Sequence, residues 1–137
     1  MEIPGSSSLH ALAIATLDHA VAGAAQGPVE PFVVEEDGAG RRTLTPCPGN
    51  TPDAGVARAT EHANNSSAQR VAVCFDGFVT LEEGRADAVW VIVHERDDDA
   101  AQAFYQRYRT AHSEEGYAVL GNVGYGGEND PLRGDSA

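Results

Sequence analysis

The chain has 137 residues, 42% of them hydrophobic, with 21 acidic against 9 basic side chains and a net charge of −12. That length makes one domain able to bury a real core. The acidic balance excludes non-specific binding to nucleic acid or to an anionic membrane, both of which need Lys and Arg to neutralise phosphates.

Every basic residue is Arg, and Ala and Gly abound, which is the coding bias of a GC-rich bacterial genome. The apolar stretch 9–25 has no Lys or Arg before it and is interrupted by Asp18, His10 and His19. It fits neither a signal peptide nor a membrane span, so a cytoplasmic protein is expected. Cys47 and Cys74 form no metal or redox motif and are expected to be reduced.

Ser6 and Ser8 offer helix caps, and Leu9, Ala13, Leu17, Ala20, Val21 and Ala24 recur at helical spacing. This first helix should end near Gly27-Pro28. Phe32 to Val34, a turn over 36–40, and Arg41 to Thr45 form a short hairpin whose charged ends suit a sheet edge. After a Pro-rich loop, Thr51-Pro52 starts a second helix with a stripe of Val56, Ala59, Thr60 and Ala63.

Residues 69–96 are the centre of the chain. Val71, Val73 and Phe75 alternate with Ala72, Cys74 and Asp76, and a second strand runs through Trp90 to His94. A three-residue loop, Glu82-Glu83-Gly84, is expected to join them. It pairs Leu81 with Arg85, Phe75 with Val91, Cys74 with Ile92 and Asp76 with Trp90. One face then carries Val71, Val73 and Phe75 with Val89, Val91 and Val93. The other carries Cys74, Asp76, Phe78, Trp90, Ile92 and His94. A hairpin apolar on both sides must be covered on both sides.

Residues 100–109 fit two patterns. Ala101, Phe104, Tyr105 and Tyr108 would share a helical face, yet Phe104, Gln106 and Tyr108 also alternate with Tyr105, Arg107 and Arg109. Aromatic content, strand-like length and the following apolar run 117–123 favour a strand in an antiparallel meander. Glycine-rich residues 124–137 read as a flexible tail beyond a domain at 1–123. The fold class expected is α+β: a mostly antiparallel sheet of five or six strands with two helices.

No catalytic constellation emerges. Cys74 and His94 share a face in the expected register but only as diagonal neighbours, so packing is the better account of both. Asp76, beside Gly77 and two phenylalanines, reads as a strand bulge. Asp97-Asp98-Asp99 lacks the calcium-loop pattern, and the five histidines form no zinc cluster. The Arg133-Gly134-Asp135 tripeptide reads as chance.

No cofactor or metal is expected, and the small-molecule ligand, if any, is undefined. Phe78, Trp90, Ile92, Tyr105 and Tyr108 form a candidate aromatic patch, since Trp and Tyr are frequent interface anchors. Two Ala-rich helices would cover only one sheet face and leave the patch to a homodimer or another protein partner. The preferred expectation is therefore a non-catalytic protein that acts through self-association or protein binding. The second is a small-molecule binder or enzyme with a pocket between sheet and helices, using Asp76, His94, Trp90 and Tyr105. A flat aromatic face distinguishes the first and a concave cavity with converging polar groups the second.

Overall fold

A computed structural model describes residues 3–132. It contains α1 (Ser7–Ala24), β1 (Phe32–Glu36), β2 (Arg42–Pro46), α2 (Pro52–Asn64), β3 (Arg70–Leu81), β4 (Gly84–Glu95), β5 (Ala101–Arg109) and β6 (Ala118–Asn129). The strands form one antiparallel sheet in the order β2-β1-β3-β4-β5-β6. The fold is thus α+β, with a meander from β3 to β6. The first hairpin joins through β1 and leaves β2 as the outer edge.

Within residues 100–109, Ala101–Arg109 is settled as strand because β5 must continue the ladder between β4 and β6. Both helices start at the caps expected of them. Ser6 accepts from the Leu9 amide at 3.1 Å, and Thr51 accepts from the Ala54 amide at 3.1 Å ahead of Pro52.

The helices lie on opposite faces. Leu9, Leu12 and Leu17 of α1, each wholly buried, pack on Ala72, Cys74, Val89 and Val91. Burying such a side chain contributes about 1.5–3 kcal/mol. Ala59 and Ala63 of α2 pack on Val33, Val71 and Val73 from the other side. This corrects the expectation that both helices cover one face. Since α2 packs chiefly on β1 and β3 and reaches β4 only near Ile92, most of the second face stays uncovered by helix across β4, β5 and β6.

The central hairpin is one residue tighter than expected. Leu81 pairs with Gly84, so the loop is Glu82-Glu83 alone, and Gly84 opens β4 at φ 124°, where a Cβ would be strained. The slip moves every partner. Phe75 faces Trp90, Cys74 faces Val91, Asp76 faces Val89 and Val71 faces His94. Alternation alone could not choose between the registers because β4 is apolar on both sides. The observed register places the compact Val89, Val91 and Val93 beneath α1 and sends Trp90 to the open face.

Two further expectations change. The ladder from β3 to β4 runs without interruption past Asp76 and Gly77, so no bulge forms there. Gly124 to Asn129, read as tail, belong to β6, and Leu132 is buried. Residues 133–137 of the expected tail, with Arg133-Gly134-Asp135, lie outside the described residues. No helix among the described residues is long and apolar enough to cross a membrane.

Candidate functional site

Of the predicted patch, the structure brings together Trp90, Ile92 and Tyr105 on the face away from α1. The Trp90 and Tyr105 rings, from paired positions on β4 and β5, lie 4.9 Å apart between centroids at 40°. Trp90 Nε1–H donates to the Phe78 carbonyl oxygen at 3.0 Å, which fixes the indole over Gly77. Both residues are half-buried, and no helix covers them.

The rings lie down on β6 because it offers glycine beneath each. A Cβ at Gly126 would stand 2.4 Å from Trp90 Cζ3, and one at Gly124 would stand 2.3 Å from Tyr105 Cζ. Composition places Gly124 and Gly126 in a tail, yet their alternation beside an aromatic strand is the signal that marks them. Arg107 borders the rings. None of the residues that β3, β4 and β5 turn to this side is a carboxylate.

The other predicted residues sit elsewhere. Phe78 and Tyr108 have the opposite parity, so they do not join the patch; Phe78 is exposed with the Arg85 guanidinium 3.6 Å over its ring. Cys74 is wholly buried beneath α1, on the opposite face from His94, so the two cannot act as nucleophile and base. Burial, then the nearby Asp76 charge, raises the Cys74 thiol well above its usual range. His94 is 1% exposed and spends its ring nitrogens on backbone carbonyls, Leu132 at 2.8 Å and Asp98 at 2.9 Å. It ties the chain after β6 to the sheet and faces no pocket with Asp76.

Asp76 is the exception among the polar candidates. On the α1 side of the sheet, beyond the helix end, the Tyr108 hydroxyl lies 2.8 Å from its Oδ1 and 2.9 Å from its Oδ2 and donates to the carboxylate. The Val29 amide donates to Oδ2 at 3.4 Å. Burial, the Asp76 hydrogen bond and the charges of Asp76 and Asp87 all push the Tyr108 phenol up, so it stays a donor. Asp76, Asp87, Tyr108 and His112 line a cavity of about 190 Å³ at the end of α1. Asp87 and His112 carried no sequence signal, because only the folded β4 and the loop after β5 bring them to Asp76.

Among the described residues, no group of three or more His, Cys, Asp or Glu is placed to hold a metal ion. No protein family, curated protein or solved structure matches the chain.

Proposed function

We propose that the protein acts without catalysis, by packing the uncovered part of its second sheet face against a second copy of itself. The observation that carries this reading is the Trp90–Tyr105 pair, laid on glycines and left half-exposed where no helix reaches. Aromatic anchors of this kind supply much of the energy of interfaces.

Charge favours a second copy as the occupant. At −12, two molecules repel over most approaches. On this face β3, β4 and β5 present no carboxylate, and Arg107 forms no ion pair among the described residues. Face-to-face docking about a two-fold axis therefore buries the apolar surface of β3, β4 and β5 away from the acids Glu128 and Asp130, which stand at its border beside Ile92.

Sedimentation of the purified chain is expected to show a dimer at micromolar concentration. Arg107→Glu puts an acid on each copy at the rim and should weaken association by about tenfold or more, with the melting temperature of the separated monomer unchanged. A wild-type chain that is monomeric at micromolar concentration excludes the proposal. The cavity beside Asp76 supports a second reading, small-molecule binding.

A further inference from the structure

The cavity at the end of α1 combines an apolar wall, made by Ala24, Pro28 and Ala111, with the polar groups of Asp76, Asp87, Tyr108 and His112. Asp76 is half-buried, and both groups that donate to it, the Tyr108 hydroxyl and the Val29 amide, are neutral. None of the ion pairs among the described residues involves Asp76 or Asp87. The neighbouring cation, Arg85, is turned onto the Phe78 ring. Two carboxylates, one half-buried and one exposed, thus line one cavity without an ion-pair partner among the described residues, with His112 the one basic side chain in the lining, and a positive group there is drawn to both.

We propose that this cavity binds a small molecule bearing a single ammonium group, with Asp76 and Asp87 facing the charge and the apolar wall taking its body. Tyr108 is a positioning residue: its hydroxyl fixes the Asp76 carboxylate, which lines the cavity. An anion is repelled by both acids, and a neutral molecule leaves their charges unmatched. The volume of about 190 Å³ sets the size, below that of a typical drug-sized ligand. The site lies on the opposite face of the sheet from Trp90 and Tyr105, so it stands or falls independently of self-association.

The test titrates the full chain at physiological salt with benzylamine, methylamine and benzyl alcohol, by calorimetry and by amide chemical shifts. Benzylamine is expected to bind in the millimolar range, with shifts concentrated at Gly27, Tyr108, Thr110 and Ala111. Benzyl alcohol, nearly the same shape without the charge, should bind at least about tenfold more weakly. Asp87→Asn, at an exposed position, should weaken benzylamine by about tenfold with no change in melting temperature. Asp76→Asn keeps an acceptor for Tyr108 and should weaken it further. Equal binding of amine and alcohol overturns the proposal. So does the absence of binding by both amines, shifts scattered over the acidic surface, or benzylamine affinity unchanged in both Asn variants.

Discussion

Replacing Arg70 with Met is expected to lower the unfolding free energy by about 1.5–3 kcal/mol, the usual worth of a hydrogen bond to a charged group, since Glu36 keeps Arg42 and Glu95 keeps Ser6 and Gln69. Arg70 opens β3 and lies between two acids, with Nε 2.5 Å from Glu36 and Nη1 2.8 Å from Glu95. Glu36 is 3% exposed, so water cannot take the place of the lost guanidinium. The network extends to Arg42, which bonds Glu36 at 2.6 Å, and to Ser6 at the cap of α1, which donates to Glu95 at 2.7 Å. One substitution therefore loosens the β2 edge, the start of the central hairpin and the helix entry together.

The same network sets a pH dependence. Burial pushes the Glu36 and Glu95 carboxyls up, but the hydrogen bonds and charges of their arginine partners, with Ser6 and Gln69 at Glu95, outweigh it and hold both below the ordinary range. A carboxyl lowered in the folded state contributes stability that is complete above its unfolded value and is lost as pH falls through its folded value. The wild type should therefore weaken below pH 4.5, the ordinary glutamate value. Because protonation removes what Arg70 was neutralising, the gap between wild type and Arg70→Met should narrow in acid. Denaturant unfolding at neutral and acidic pH measures both effects. A variant within 1 kcal/mol of wild type, on the scale of exposed ion pairs, would show that water already satisfies Glu36.

Gly124→Ala is expected to destabilise the protein by roughly 1–3 kcal/mol, the cost of overpacking. In an ordinary strand the change would have the opposite sign, because Gly costs about 0.5–1 kcal/mol relative to Ala. The added Cβ would fall 2.3 Å from Tyr105 Cζ and 2.6 Å from both Cε1 and the hydroxyl oxygen. Tyr105 cannot tilt away freely, because Trp90 lies against it and is anchored to Phe78. Truncating the ring in Tyr105→Ala/Gly124→Ala should recover most of the loss, giving a coupling energy of about 1 kcal/mol or more in a double-mutant cycle. A stabilised Gly124→Ala single variant would mean that the ring does not rest on β6. The aromatic face would then lose its floor, and the self-association reading its support.

Trp90 and Tyr105 stand in the sequence among five candidate patch residues, Trp90 on a clearly alternating strand and Tyr105 on a segment whose pattern also fits a helix. Their surroundings are not legible there. Which residues share their face depends on the β3–β4 register, and a hairpin apolar on both sides pairs equally well one residue either way. Hence Phe78 and Tyr108 were placed with Trp90, and Cys74 with His94. The glycines beneath the rings were read as a flexible run because composition shows backbone freedom but not the neighbour that needs the space.

Periodicity and capping by themselves determined that two helices and an antiparallel sheet form here, and roughly where each begins, because those signals act within a turn or two of chain. The tertiary structure alone decided that the helices take opposite faces, which leaves half of one face uncovered. It alone brought Asp87 to Asp76 and Tyr108, and Arg70 between Glu36 and Glu95. These groups are far apart along the chain, and the packing that joins them depends on register and volume, quantities that no local pattern encodes.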